Sequence, residues 1–441
     1  MRTCKIAMCM ALAFACFFCC GISSAASTAA DWEQNWDAAV ADESVISISP
    51  GTDGTQMRFA WLTAAGDTCA FRFGTSADLS EMEEVVVAHT WTITGQTRCS
   101  AVVNDLQPET TYYYTCFSHG VWGEIYSFRT AGSKLTALFV TDSQLGRSGN
   151  WRSKDVLLHD VAGWDTTLSQ AVARYPDISL CLSAGDQTEK GFSELQYRLL
   201  LAPQTLRGLP MATTIGNHEF YFPYLNLHFA LPNRFGASVI HSLGDEPYYF
   251  RQQDVLFVVL DTNNLLSWDH EAVLEKAVRT YPDTKWRVVM MHHSLYSCED
   301  TQADGPYLRK TLPPLLQKYG VDLVLSGHTH RYSRSYPIEG ITYLEGGCCS
   351  GCNSKASPDA LPGYTAAGYA QKNPVYCVLQ FGEQEISVCS YAVENGESVC
   401  IDRGTVTAQT RDENTPQMAL WARIFQRALS GFGRVVSLLF V

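Results

Sequence analysis

The sequence predicts two domains: an all-β sandwich followed by a layered α/β domain. Three observations carry this. Residues 44–130 alternate apolar and polar side chains in short runs separated by Gly and Asp turns. From Leu135 onward, short runs that are apolar on both faces alternate with helical stretches, as strands covered on both sides must. The chain has 441 residues, and at roughly 100–200 residues per domain this is room for two or three. A core of that size needs neither metal nor disulfide to hold its fold.

Taken in order, residues 1–25 read as a secretory signal. Arg2 and Lys5 form a basic start, Ile6 to Cys20 is apolar and uncharged, and Ser23-x-Ala25 and Ser24-x-Ala26 are small-residue cleavage sites. The rival reading is an N-terminal membrane anchor, for which the segment is short. Residues 38–131 form the sandwich. Met57, Phe59 and Trp61 point one way along one strand, and Ala70–Phe73 and Val85–Ala88 supply others. Residues 134–403 form the α/β domain. Its strands are placed at Leu135–Val140, Ile178–Leu182, Met211–Ile215, Val255–Leu260, Arg287–Met291 and Val321–Leu325, with helices at Asp269–Thr280 and Arg309–Tyr319. Residues 411–441 are a linker and an amphipathic tail. Leu420, Trp421, Ile424, Phe425 and Ala428 recur at helical spacing, with Arg423 and Arg427 on the opposite side. The stretch Leu420–Val441 is either an interfacial membrane helix or a helix docked on the protein.

The balance of 32 Lys and Arg against 45 Asp and Glu gives a charge of −13. That argues against a nucleic-acid polymer as partner, which would call for a basic face. It does not exclude a phosphorylated substrate, because bound cations reverse the local field. Loss of the signal takes the charge to −15, since Arg2 and Lys5 leave with it. Of 16 cysteines, eleven lie beyond the signal, and an exported chain with this many is expected to form disulfides. Cys348, Cys349 and Cys352 read as a disulfide cluster rather than a zinc knuckle, because no second Cys or His pair stands at suitable spacing.

The chemistry-bearing residues follow the strands. The first strand of the α/β domain runs into Asp142-Ser-Gln144 and the second into Gly185-Asp186. The third runs into Gly216-Asn217-His218-Glu219, and later ones into His292-His293 and Gly327-His328-Thr-His330. Ligands of layered α/β sheets bind at the carboxyl ends of strands, so these side chains can converge in one crevice. Carboxylate and amide oxygens together with several imidazoles make a site for two metal ions: Fe, Zn or Mn.

This ordered series resembles the calcineurin-like metallophosphoesterases. The stretch Leu106-Gln-Pro-Glu-Thr-Thr-Tyr112-Tyr-Tyr114 in front resembles the fibronectin type III fold, where a tyrosine locks a corner of the sandwich. Together they look most like the purple acid phosphatase branch, over Ser44 to about Arg403. The resemblance implies a four-layer catalytic domain, a mixed β-sandwich flanked by helices, with a bimetallic centre on one edge. It implies that Asp186 bridges both metals, that Asp142 and His330 hold the first, and that Asn217, His292 and His328 hold the second. His218 binds no metal and contacts the phosphoryl group or the leaving oxygen.

Two positions depart from the family pattern. The first motif ends in Gln144 instead of His or Gly, and Glu189 stands where purple members carry a tyrosine. Gln144 either donates its carbonyl oxygen to the first metal or sits behind the ligands. Glu189 either replaces the phenolate or faces solvent. His293 is an alternative to His292. With the phenolate missing, the protein is expected to be colourless or faintly yellow, with Tyr332 and Tyr296 as the tyrosines to examine if it is not. The implied activity is that of a secreted phosphomonoesterase on a small phosphorylated substrate, by attack of a metal-bridging hydroxide with Asp186 and His218 in catalytic roles. The alternatives are a phosphodiesterase on nucleotides or lipid head groups, and a non-catalytic metal-binding adhesion protein. A local positive patch is expected against the negative net charge, with Arg331 the nearest candidate in sequence.

Overall fold

The computed structural model describes residues 28–42, 44–91, 95–222, 224–236, 247–299, 305–411, 416–424 and 428. The signal segment 1–25 and most of the tail beyond 424 lie outside the described residues. No helix among the described residues is long and apolar enough to cross a membrane.

The N-terminal domain is two sheets face to face. One runs in the order Ser47–Pro50, Met57–Ala64, Gln96–Val103, Val87–Trp91. The other runs Glu83–Val85, Ala70–Gly74, Thr111–Ser118, Val121–Trp122, with Tyr126–Arg129 also paired to Thr111–Ser118. The run expected as one strand at Val85–Ala88 is two short strands, one in each sheet, and Val86 between them is 90% exposed. The core is aromatic: Phe59, Trp61, Phe71, Tyr114 and Phe128 are buried together. Tyr112 Oη accepts the backbone N–H of Gln107 at 2.9 Å, tying the strand to the turn before it.

The catalytic-size domain holds two mixed sheets. The six-stranded sheet runs Met211–Thr213, Ile178–Ser183, Leu135–Val140, Val375–Phe381, Glu385–Glu394, Glu397–Thr407. Its first three strands are parallel, and the hairpins from 375 onward join antiparallel. The seven-stranded sheet runs Tyr248–Gln252, Val255–Val259, Trp286–His293, Leu323–Gly327, Thr342–Glu345, Ser333–Ser335, Thr365–Gly368, with four of these parallel. Between the sheets, Leu138, Leu182, Phe257, Met290, Leu325 and Phe381 share one buried core. A second core lies under helix Ser267–Thr280 and two short helices. Those two, Gly305–Thr311 and Pro313–Lys318, replace the single helix expected over Arg309–Tyr319. Pro313 and Pro314 cannot continue a helix from the preceding turn, so it restarts with proline in its first turn.

The longest helix among the described residues, Lys154–Arg174, covers the six-stranded sheet. The helices Ala29–Gln34 and Trp36–Ala41 pack on this domain rather than on the sandwich, and Trp32 Nε1 donates to Asp165 at 3.2 Å. The domains meet through backbone carbonyls: Tyr114 Oη donates to Arg207 O at 2.8 Å and Tyr281 Oη to Thr52 O at 2.9 Å. The beginning of the tail, a helical turn at 420–424, lies on helix Ser267–Thr280. Met418 and Ala422 are buried against Ala272, and Arg423 donates to Glu275 at 2.8 Å. Arg423 therefore faces the protein, while Leu420, Trp421 and Ile424 face outward.

Candidate metal centre

Parallel strands from both sheets end at the same edge, and the loops that leave them meet there. Five residues of these loops adopt left-handed backbone: Asp142 (φ 50°), Gln144 (36°), Asp186 (49°), His328 (78°) and His330 (59°). Side chains with a Cβ rarely occupy this region, and such strain persists only where the surroundings fix it, most often at functional sites. Glycines make the close approach possible. A Cβ at Gly216 would collide with the Asp186 carboxylate, and one at Gly327 would collide with Thr141 and Asp142.

On one side of Asp186, four side chains converge. Asp186 Oδ2 lies 3.3 Å from His292 Nε2. Asn217 Oδ1 lies 3.1 Å from His292 Nε2 and 2.8 Å from His328 Nδ1, and the two imidazole nitrogens are 3.2 Å apart. His292 Nδ1–H donates to the carbonyl of Ala184 at 2.8 Å, which leaves the Nε2 lone pair facing the cluster. The ring of His293 packs on that of His328, 4.7 Å between centroids, but its Nδ1 meets the hydroxyl of Thr262 at 2.9 Å, and it is His292 that groups with Asp186 and His328.

On the other side are Asp142, Gln144 and His330. Asp142 Oδ2 accepts from Thr141 Oγ1 at 2.7 Å and from the N–H of His328 at 2.9 Å. Its Oδ1 is buried, makes no hydrogen bond, and lies 3.5 Å from His330 Nε2. His330 Nδ1 faces the carbonyl of Asn353 at 3.2 Å, which again directs Nε2 inward. Gln144 is fully buried and its Oε1 also lacks a hydrogen bond.

These atoms fit metal ions. Asn217 Oδ1, His292 Nε2 and His328 Nδ1 lie within 2.8–3.2 Å of one another, and two buried oxygens, Asp142 Oδ1 and Gln144 Oε1, have no protein donor. Buried acceptors without donors are costly, and a cation answers each of them. Asp186, His292 and His328 offer ligand atoms within 4.8 Å of one another, close enough to hold one metal ion. Burial works against a charged His292, but the carboxylates of Asp186 and Asp142 lift its pKa to about 10. Burial and His292 push His328 down to about 3.

His218 stands beside this group and outside it. Its Nδ1 faces the backbone carbonyl of Glu189 at 2.8 Å, and its Nε2 is 3.8 Å from Asp186 Oδ2. It keeps a solvent-exposed edge, as a group that meets substrate must. Arg331 supplies no positive patch: it pairs with Glu299 and donates to the carbonyl of Ala356. The cations beside the centre are Arg147 and Lys190, both on Glu189 at 3.4 and 3.2 Å. Tyr332 is turned away, donating to Asp402 at 2.7 Å, and Tyr296 packs on Tyr343 and Tyr364.

Two buried acids have positioning contacts that the sequence pattern did not single out. Glu219 accepts the backbone N–H groups of Asp186, Thr188 and Gly216 at 2.9–3.1 Å, tying two ligand loops together. Burial and Asp186 raise its pKa to about 7. Glu345 accepts from Thr329 and Ser333 and so braces the His328-Thr-His330 turn. The signal for Glu219 was present, since it closes the Gly216-Asn217-His218 motif; Glu345 had none.

The calcineurin-like phosphoesterase family matches residues 135–332, and the purple acid phosphatase N-terminal domain matches residues 44–130. Purple acid phosphatase 21 of Arabidopsis thaliana is 30% identical over 257 residues, covering 54% of this chain and 53% of that protein. Probable purple acid phosphatase 20 of the same plant is 26% identical over 303 residues, covering 63% and 66%. The chain thus spans about half to two thirds of the length of these curated relatives. Among solved structures, a purple acid phosphatase from yellow lupin (Lupinus luteus) seeds superposes with a TM-score of 0.67 at 16% identity, covering 85% of this chain and 77% of that one, a likeness of fold. Both matches fall in the order found here, sandwich first and layered domain second, and the chain is similar to calcineurin-like phosphoesterases that carry a purple acid phosphatase N-terminal domain.

Proposed function

We propose that this chain is a two-metal phosphomonoesterase acting on a small phosphorylated substrate. The observations that carry the reading are two buried oxygens without hydrogen-bond donors, Asp142 Oδ1 and Gln144 Oε1, and the close approach of Asp186, His292 and His328 on the other side. Asp142, Gln144 and His330 would hold one ion, Asn217, His292 and His328 the other, and Asp186 both. Bound there, two cations supply charge neutralisation for phosphoryl oxygens and an acidified water at neutral pH. The chain's own residues do the rest. Asp186 keeps its carboxylate ionised despite burial because His292 and His218 lie beside it. His218, fixed through Nδ1 by the carbonyl of Glu189, presents Nε2 to the leaving ester oxygen and stabilises or protonates it. The backbone of Asp142 and His328 cannot relax without breaking the hydrogen bond between them, so the edge is preorganised.

Turnover of p-nitrophenyl phosphate against its bis-phenyl diester tests this reading. Metal-dependent monoester turnover that exceeds diester turnover supports it. Preferred diester turnover would make the chain a phosphodiesterase, and no turnover with Fe, Zn or Mn would leave a binding protein.

Export belongs to the same reading. It is supported by the residue pattern of 1–25 and by the proximity of Cys348 and Cys352, whose Sγ atoms are 2.8 Å apart in the loop that pairs with Thr141. A disulfide-linked peptide containing Cys348 and Cys352, found by mass spectrometry of the exported protein, is the expected result; two alkylated thiols would contradict it. Contact with a membrane surface through Leu420–Val441 is supported by the outward-facing Leu420, Trp421 and Ile424.

A further inference from the structure

The two positions that depart from the family pattern touch each other. Gln144 Nε2 lies 3.2 Å from Glu189 Oε2. The backbone puts them there: Gln144 N–H donates to Asp186 O at 2.9 Å, Glu189 N–H to Leu145 O at 3.0 Å, and Leu145 pairs with Thr188. Two ligand loops are thus zipped side by side, with Gln144 on one and Glu189 on the other.

We propose that Glu189 is a positioning residue: it takes the amide N–H of Gln144 and so turns Gln144 Oε1 toward Asp142 and His330 as a ligand of the first metal. An amide has one face that donates and one that accepts. The reverse orientation would set its oxygen against a buried carboxylate, oxygen against oxygen, and would aim N–H groups at the place of a cation. The carboxylate of Glu189 therefore decides which end of the amide faces the metal. Glu189 itself is held off that place. Arg147 lies 3.4 Å from both of its oxygens, Lys190 Nζ lies 3.2 Å from Oε1, and His218 Nδ1 lies 3.4 Å from Oε2. With these neighbours the carboxylate is neutralised where it stands. The residue in the phenolate's place is thus not a substitute ligand; it makes a ligand out of Gln144. His218 Nδ1 also meets the backbone carbonyl of Glu189 at 2.8 Å, a shorter contact that every substitution at 189 retains.

The inference rests on the two-metal reading above, and cobalt(II) titration of the metal-stripped full chain separates the two. The wild type is expected to bind two ions. Glu189→Leu should weaken the first site by about 10–100-fold, the usual worth of a residue that orients a ligand, and leave the second site unchanged. Unchanged second-site binding also reports that the fold is intact. Glu189→Gln should stay close to wild type, because its own carbonyl oxygen still accepts from Gln144. Gln144→Leu should weaken the first site, and the double variant Gln144→Leu/Glu189→Leu should be no weaker than Gln144→Leu alone, because one residue acts through the other. Unchanged first-site affinity in Glu189→Leu would overturn the inference. So would a Glu189→Gln as poor as Glu189→Leu, since the carboxylate charge itself would then be needed. If Asp142→Ala loses the first ion and Gln144→Leu keeps it, the inference fails and the two-metal reading stands. If the wild type binds no cobalt, both fail.

Discussion

The two halves of the metal centre are built differently. Around Asn217, His292 and His328, the side chains meet one another directly, and the main-chain carbonyl of Ala184 aims His292. Around Asp142, Gln144 and His330, the amide is aimed by a side chain from another loop, and that side chain in turn is balanced by Arg147 and Lys190. The first kind of site is robust and carries its full signature in short motifs. The second depends on a partner 45 positions away, and substitutions far from the metal can disable it.

Removing ligands should expose this contrast most strongly. Asn217→Ala or His328→Ala is expected to lose the second ion and nearly all phosphatase activity while keeping native circular dichroism, because the core around Leu138 and Phe257 does not involve the metal. Full activity in either variant would sink the ligand assignment. His218→Ala should retain both ions and lose roughly 10²–10⁴ in kcat, the worth of a positioned acid; loss of metal would show that its ring is a ligand. The half with Asp142, Gln144 and His330 predicts the spectrum. No tyrosine phenolate among the described residues stands at Gln144 or Glu189, so the iron-loaded protein should be colourless or faintly yellow. An intense visible band at stoichiometric iron would mean that a tyrosine reaches it after all.

A smaller effect concerns the brace of the His328-Thr-His330 turn. Burial raises the pKa of Glu345 to about 7, against 4.5 in the open chain, while hydroxyls of Thr329, Ser297 and Ser333 oppose the rise and Asp142 adds to it. The folded protein therefore binds this proton more tightly than the unfolded one. The stability it contributes is fully present below about pH 4.5 and is lost as pH rises through about 7, a change of at most about 3 kcal/mol. Urea unfolding of the metal-free protein at both ends of that range should show a steeper decline for wild type than for Glu345→Gln. Parallel declines would mean that Glu345 titrates normally. The smallest expected effect is at the tail. Deleting residues 417–441 should abolish binding to anionic vesicles and leave turnover unchanged. Vesicle binding that survives the deletion, or is absent before it, would leave Leu420–Val441 as a docked helix only.

Much of this centre was legible because each ligand follows an apolar strand of its own. Val140, Leu182, Ile215, Met291 and Leu325 end runs that read as strands, and the polar residues just beyond them fall at one edge. What was not legible depends on proximity in space. Nothing in Asp142-Ser-Gln144 says which way the amide turns, because Glu189 decides it. Arg331 looked like the substrate's cation by adjacency, whereas Glu299 occupies it. The hairpins from 375 to 407 escaped the pattern because the last strand is an edge whose outer side chains are in water, which blurs its alternation. The tail's helical spacing was visible, but not that Arg423 would face inward to meet Glu275.

Anomalous diffraction from crystals of the metal-loaded protein tests the central claim most directly. Two ions per chain are expected, one among Asp142, Gln144, Asp186 and His330 with the amide oxygen as a ligand, the other among Asp186, Asn217, His292 and His328. A single ion, or a first ion bound by Glu189 with Gln144 turned away, would contradict it.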